Sequence, residues 1–257
     1  VGYMLAIHGS YKMLSLVALT LVFGVIGFVD DFLIVKRGKN LGLKARQKLA
    51  LQFIFGFAFM MWLRSDAIAG RSTVVSFGTM NLDFGQMYYV LGLFFIVGMS
   101  NAINLTDGLD GLSSGVTVLI SLALAITVFR GGISWLPIFC VAVGGACAGF
   151  YFFNVHPARV FMGDVGSLAL GAAIAGAALI GKVEVPFQIY AAVPWIEVSS
   201  VIIQVCVFKY RKATKGIEFA RSNRVFRRTP LHHHFEELGW PETQVVGRFW
   251  IITAISI

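Results

Sequence analysis

Charge is scarce in this sequence. Only 13% of the 257 residues are Asp, Glu, Lys or Arg, about half the share a soluble domain carries. With 57% hydrophobic residues and a mean hydropathy of +0.78, a water-soluble globule is excluded, because it would have too little polar surface to show to solvent. Acid is scarcer than base: 13 Asp and Glu stand against 21 Lys and Arg, for a net charge of +8. A basic excess can serve nucleic acid, but here the bases gather in two loops between apolar runs. In a membrane protein that pattern marks the cytoplasmic side, so no nucleic-acid partner is expected. Cysteine is nearly absent. Cys140, Cys147 and Cys206 all lie inside apolar runs without metal-ligand spacing and read as small apolar packers. A Walker loop is missing too, since the glycine-rich stretch Gly108–Gly115 lacks Gly-Lys-Ser/Thr. No signal peptide is visible. Val1 does not read as a start and the last apolar run breaks off at Ile257, so residues are expected to be missing at both ends.

What is present is a succession of apolar runs, at 13–29, 49–63, 88–103, 112–129, 133–153, 165–181, 185–208 and 246–257, the last incomplete. The complete runs are roughly 15–24 residues, near what a ~30 Å hydrocarbon core requires at 1.5 Å per residue. Each must be helical, because an open strand in lipid leaves backbone groups unpaired. The expected fold is therefore all-α: a polytopic transmembrane bundle of about eight spans forming one integral membrane domain over residues 1–257. Glycines at 166, 171, 176 and 181, with Ala175, predict close helix packing in the sixth span. Between the second and third runs, Thr73–Phe77, Gly78 and Asn81–Phe84 read as a short β-hairpin or an irregular loop.

The loops sort by charge. The first basic loop holds Lys36, Arg37, Lys39, Lys44, Arg46 and Lys48; the second holds Lys209, Arg211, Lys212, Lys215, Arg221, Arg224, Arg227 and Arg228. The other side has only Lys12, Arg64, Arg71, Arg130 and Lys182. Six crossings separate the two basic loops, an even number, so both fall on the cytoplasmic side as the charge bias requires.

The same parity places five aspartates on that side. Asp30 and Asp31 end the first span, Asp107 and Asp110 lie between the third and fourth, and Asp164 opens the sixth. Asp66, Asp83 and Glu184 fall on the far side. The cost of charge at the bilayer centre explains why acids avoid the middle, but not why five share one face. Carboxylates are hard ligands for Mg²⁺ together with substrate phosphates, and nearby Lys and Arg can hold phosphate charge. Acids, bases and a divalent cation are the equipment of phosphoryl transfer. Individual motifs stay ambiguous. Asp107 and Asp110, three apart, share a helix face or begin a hydrated helix. His232, His233 and His234 suit phosphate or substrate contact, or a plain solvated loop, better than zinc. Glu197, near Pro194 in the seventh run, marks a kink or a packed acid.

Taken in order, these segments resemble a known family. Asp30-Asp31 before a basic loop, Asn104-Leu105-Thr106-Asp107-Gly108-Leu109-Asp110-Gly111, Asn154 with Pro157-Ala158, Phe161-Met162-Gly163-Asp164-Val165-Gly166-Ser167, and Pro230-Leu231-His232-His233-His234 are similar to the polyprenyl-phosphate N-acetylhexosamine-1-phosphate transferases. Phe235-Glu236, Gly239-Trp240-Pro241-Glu242 and Arg248-Phe249-Trp250 point to the branch acting on UDP-MurNAc-pentapeptide. The resemblance runs along nearly the whole chain. It implies transfer of phospho-MurNAc-pentapeptide to undecaprenyl phosphate, giving lipid I and UMP for peptidoglycan, with Mg²⁺ as cofactor. It implies ten helices, of which this chain would lack the first two, a homodimer in the bacterial inner membrane, and inhibition by nucleoside antibiotics such as tunicamycin. By residue, it implies Mg²⁺ at Asp164, the lipid phosphate positioned or deprotonated by Asp30 and Asp31, and Lys48 near the pyrophosphate. Asn104, Asp107 and Asp110 would line the nucleotide site, Asn154 and Phe161 would hold the uracil, and His232, His233 and His234 would serve activity. A sister transferase using UDP-GlcNAc is the alternative with the same chemistry. A secondary transporter is the alternative of another class, disfavoured because such sites lie near the midplane.

Overall fold

The apolar runs become helices, as lipid demands of them. The computed structural model describes residues 10–38, 42–65 and 72–257; Lys39, Asp66 and Arg71 of the charge pattern lie outside them. The long helices are α1 (Ser10–Arg37), α2 (Ala45–Ser65), α3 (Met87–Thr106), α4 (Leu112–Arg130), α5 (Leu136–Asn154) and α6 (Gly163–Gly181). They are followed by α7 (Glu184–Tyr190), α8 (Ala192–Lys215), α9 (Ile217–Ser222), α10 (Leu231–Glu236) and α11 (Glu242–Ile255). Among the described residues, six helices (α1, α3, α4, α5, α6 and α8) are long and apolar enough to cross a membrane. The chain is thus a multi-pass membrane protein. Runs 49–63 and 246–257 also fold as helices, α2 and α11, outside that set of six.

The expected seventh span, 185–208, is divided. Its helix breaks at Ala191, and Pro194 lies in the first turn of α8, where a proline breaks no helix hydrogen bond. The kink foreseen near Pro194 thus falls three residues earlier, and Glu197 is a buried acid inside α8.

Helix α6 is the hub, packed against α1, α3, α4 and α5. Its alanines and glycines from Gly171 to Ile180 are all buried, and small side chains let neighbouring backbones approach closely. At Gly171 it lies directly on the α3 backbone at Met99 and Ser100, and the Ser100 hydroxyl donates to the Leu168 carbonyl at 3.0 Å. Large apolar side chains such as Leu21, Val25, Phe129, Phe152 and Ile202 stand exposed on the outer faces, which suits a lipid surround.

The hairpin reading holds. Val74–Phe77 (β1) and Met80–Asp83 (β2) pair antiparallel. Asp83 accepts hydrogen bonds from the Thr73 hydroxyl and, at 2.9 Å, from the Gly85 amide; the Thr73 hydroxyl first, then that amide, holds its carboxyl below the usual carboxylate range. Next to the hairpin, Lys182 Nζ donates to the Ser72 carbonyl at 2.9 Å and lies 3.3 Å from Glu184, while Tyr88 donates to Glu184 at 2.5 Å. Burial lowers the Lys182 pKa, with Glu184 opposing. This polar group closes the bundle end opposite the five aspartates.

Candidate active site

The five aspartates sit at or near three helix ends, and those ends lie together. Asp30 and Asp31 are in the last two turns of α1, Asp164 is in the first turn of α6, and Asp107 and Asp110 follow α3. Contact between α1 and α6 at this depth depends on Gly27, where a Cβ would run into the α6 backbone at Asp164 and Val165. The outcome is a cluster in which one carboxylate oxygen each of Asp30, Asp31 and Asp164 lies within 4.8 Å of the others.

Three neighbours organise that cluster. Lys48, from the first turn of α2, donates to Asp164 and lies 3.5 Å from Asp30 Oδ2. Asn104, near the end of α3, donates to Asp164 Oδ1 at 2.7 Å and to the Ser167 hydroxyl at 2.8 Å. The Leu43 amide donates to Asp30 Oδ1 at 2.5 Å. Asp31 takes the opening of α6 in hand, accepting from the Val165 amide at 3.3 Å. An acid there complements the positive end of the helix dipole.

The donor chemistry fits a hard divalent cation. Three carboxylates set against one ammonium leave two negative charges uncompensated when all are ionised, and like charges this close make one another's ionisation more costly unless a cation intervenes. Asp107 shows the strain of the same field from outside the helices. Burial pushes its carboxyl up to about 7, the charge of Asp164 adds to this, and the Gly163 amide partly offsets it.

The loop Asp107–Gly111 joins this cluster to a second set of groups. Asp110 accepts from the Ala158 amide at 2.9 Å and pairs with His156 at 3.2 Å, while His156 lies 3.2 Å from Glu242. Glu242, from the start of α11, accepts the Asp110 amide at 2.6 Å. Asn154 is buried and fully engaged: its oxygen accepts from the Gly111 amide at 3.1 Å and the Ser114 hydroxyl at 3.0 Å, and its Nδ2 donates to the Val160 carbonyl at 3.0 Å. Asn154 therefore shapes the loop that leads to Phe161, whose ring is 74% exposed and free to stack on a flat ligand.

The three histidines diverge, as adjacent residues on a helical turn must. His232 is fully buried against Glu197, also fully buried, with Nδ1 3.2 Å from Glu197 Oε2. Its amide is 3.2 Å from Glu197 Oε1. The pair sits at ion-pair distance, but its angles fall outside those of a good hydrogen bond, since neither ring nitrogen has a hydrogen-bond partner. The opposite ring edge lies on Gly108, where a Cβ would overlap Nε2. His233 meets Glu236 at 2.5 Å, and His234 Nδ1 accepts from the Arg227 amide at 3.1 Å.

So Asp30, Asp31, Asp164, Lys48, Asn104 and Asp107 form one constellation. Asp110, Asn154 and His232 reach it through the 107–111 loop, and His233 and His234 sit on the flank. Sequence reasoning missed His156, Ser167 and the partnership of Glu197 with His232. Nothing in spacing announces His156 or the Glu197–His232 pair, although Ser167 and Glu242 lie in stretches already noted for their resemblance.

A multi-pass membrane protein with basic, acidic and amide side chains converging at one helix-end face is in the class of membrane-embedded enzymes that handle phosphates at the interface. The profile of glycosyl transferase family 4 matches residues 13–182, and the chain belongs to that family. Its relatives include phospho-N-acetylmuramoyl-pentapeptide-transferases from Gemmatimonas aurantiaca (44% identical, covering 96% of this chain and 72% of the relative) and Halalkalibacterium halodurans (43%, 98% and 74%). That of Anoxybacillus flavithermus is 46% identical over 92% of this chain and 70% of its own.

Proposed function

We propose that this enzyme transfers phospho-N-acetylmuramoyl-pentapeptide from UDP-MurNAc-pentapeptide to undecaprenyl phosphate, giving lipid I and UMP. The relatives' shared activity supports the reaction. The observation that carries the site assignment is the convergence of Asp30, Asp31 and Asp164 around Lys48 and Asn104.

An oxygen of the lipid phosphate attacks the β-phosphorus of the nucleotide. The bond from β-phosphorus to the bridging oxygen breaks, and that oxygen departs with its electron pair on UMP. Where the lipid phosphate arrives protonated, Asp30 or Asp31 takes the proton. Two anionic substrates and an acidic cluster repel one another strongly when brought within ~4 Å in a partly dry site. Lys48 offsets part of that charge, and Asn104 keeps Asp164 oriented. Mg²⁺, held by Asp164 with Asp30 and Asp31 beside it, would neutralise phosphate charge and polarise the β-phosphorus. Phe161 offers an exposed face for the uracil, and the 107–111 loop lines the nucleotide. The basic ends of α1 and α8 support a cytoplasmic site in the bacterial inner membrane. Homodimer formation and inhibition by nucleoside antibiotics rest on the family resemblance alone.

The test is transfer of radiolabel from UDP-MurNAc-pentapeptide to undecaprenyl phosphate. Asp164→Ala and Asp30→Asn should each lose at least about 100-fold, and UDP-GlcNAc should be a poor donor. Full activity in both variants contradicts the site assignment, and preferred turnover of UDP-GlcNAc contradicts the substrate.

A further inference from the structure

Beside the active site, α8 and the segment that follows α9 enclose a cavity of about 430 Å³ lined by Gln204, Phe208, Lys209, Lys212, Arg224 and Arg228, among others. Its wall is built, not incidental. The Gln204 amide group donates to the Phe226 carbonyl and accepts from the Val225 and Phe226 amides, each at 3.1 Å. Arg211 adds a hydrogen bond to the Asn223 carbonyl. These contacts pin the returning chain to α8 and leave a space between the two.

Apart from Lys215, whose ammonium lies 4.6 Å over the Phe219 ring, the cations of this region divide into two groups. Arg211, Arg221 and Arg227 are engaged with the protein itself, through Asn223, Glu218 and the Glu237 carbonyl. Lys209, Lys212, Arg224 and Arg228 have no carboxylate partner among the described residues, and these four line the cavity. Four unpaired cations on two facing elements, with Phe208 and Val205 between them, suit an anion carried on a partly apolar body.

Position points to the ligand. Arg228 is four residues before His232, which caps the separation of their Cα atoms at roughly 14 Å. His232 in turn lies on Gly108, beside Asp107. A pentapeptide in extended form reaches about 17 Å. A sugar held beside the 107–111 loop would therefore carry a peptide long enough to span the step from His232 to Arg228 and the cavity it lines. Any peptide ends in a carboxylate unless it is modified.

We propose that this basic cavity is a specificity subsite that receives the C-terminal carboxylate of the peptide borne by the sugar nucleotide. The assignment rests on the proposed reaction and adds to it a determinant remote from the chemistry.

The test compares two donors, UDP-MurNAc-pentapeptide with a free C-terminal carboxylate and the same compound amidated there, with enzyme in vesicles of low and of high phosphatidylglycerol content. Amidation should raise the KM of the parent enzyme about fivefold with kcat within about twofold, the scale of one or two partly exposed ion pairs. The double variant Arg224→Gln/Arg228→Gln should raise KM for the free acid by a similar factor and no longer distinguish the two donors. Lys209→Gln/Lys212→Gln should repeat the pattern from the other wall. Equal KM values for the two donors in the parent overturn the proposal, as do variants that lose equally on both. A variant effect that follows the phosphatidylglycerol content of the vesicles instead of the donor also overturns it, in favour of a lipid headgroup. If the parent turns over neither donor but accepts UDP-GlcNAc, the reaction assignment has failed, and that result is distinct from the others.

Discussion

Lys48 reaches from the first turn of α2 to join Asp164 of α6, and its ammonium lies 3.5 Å from Asp30 of α1. One side chain thus links three helices at the point where the acids converge. Lys48→Gln removes the charge but keeps a polar group. It should lower kcat by about 100-fold and lower the Mg²⁺ concentration needed for half-maximal activity, because carboxylates no longer offset by an ammonium hold a divalent cation more tightly. Radiolabel transfer over a magnesium titration reads both effects. Unchanged kcat with an unchanged magnesium optimum contradicts the role.

Asp107 gives a pH signature. Its carboxyl, pushed up to about 7 chiefly by burial, binds a proton in the folded state at pH values where the unfolded chain has released it. Stability linked to this group is therefore present below the ordinary carboxylate pKa and is lost as pH rises toward 7. Asp107→Asn removes that loss. In magnesium-free buffer the variant should melt above the parent at pH 8, with the gap narrowing toward pH 5. The stabilisation at pH 8 should be on the order of 2–4 kcal/mol. Thermal unfolding in detergent at the two pH values measures it, and a gap independent of pH counts against the assignment.

Gly27 sets how near α1 comes to the opening of α6. Gly27→Ala inserts a methyl group against backbone, which cannot rotate away, so the helices must separate. The expected cost is about 1–3 kcal/mol. Transfer activity should fall more than tenfold even though no reacting group is changed. An active, equally stable variant shows that the approach tolerates more room than the structure has.

The buried pair Glu197–His232 is predicted to matter as a unit. Glu197→Ala leaves the buried His232 amide without its carboxylate acceptor, and an unsatisfied buried donor costs about 1–3 kcal/mol. Glu197→Gln keeps the shape and should recover most of the stability while activity stays reduced. Melting temperature and kcat measured together on both variants separate these effects. Equal activity of Glu197→Gln and the parent removes any functional part for the pair.

Much of this arrangement was legible in the sequence, for physical reasons that also mark the limit. Apolar runs report depth, because lipid forces helix and length together, so parity alone brought Asp30, Asp31, Asp107, Asp110 and Asp164 to one face. Depth does not report azimuth. That Lys48 would bridge Asp30 and Asp164, or that His156 would lie between Asp110 and Glu242, depends on which helices are neighbours, and α6 acquires its neighbours through small-residue contacts. The break at Ala191 was displaced from its expected place because Pro194 fits a first helical turn without disruption. Asn154 was expected to face a ligand, but all its polar atoms serve the loop around it, a partnership that crosses some forty residues of sequence.

The most direct test of the central claim is a count of bound divalent ion. Mn²⁺ can stand in for Mg²⁺ at oxygen donors and is visible by electron paramagnetic resonance. The purified enzyme in detergent should bind one Mn²⁺ that Mg²⁺ displaces, and Asp164→Asn should weaken that binding at least about tenfold. Binding of the same stoichiometry and affinity in Asp164→Asn, or none in the parent enzyme, contradicts a cation site among these three carboxylates.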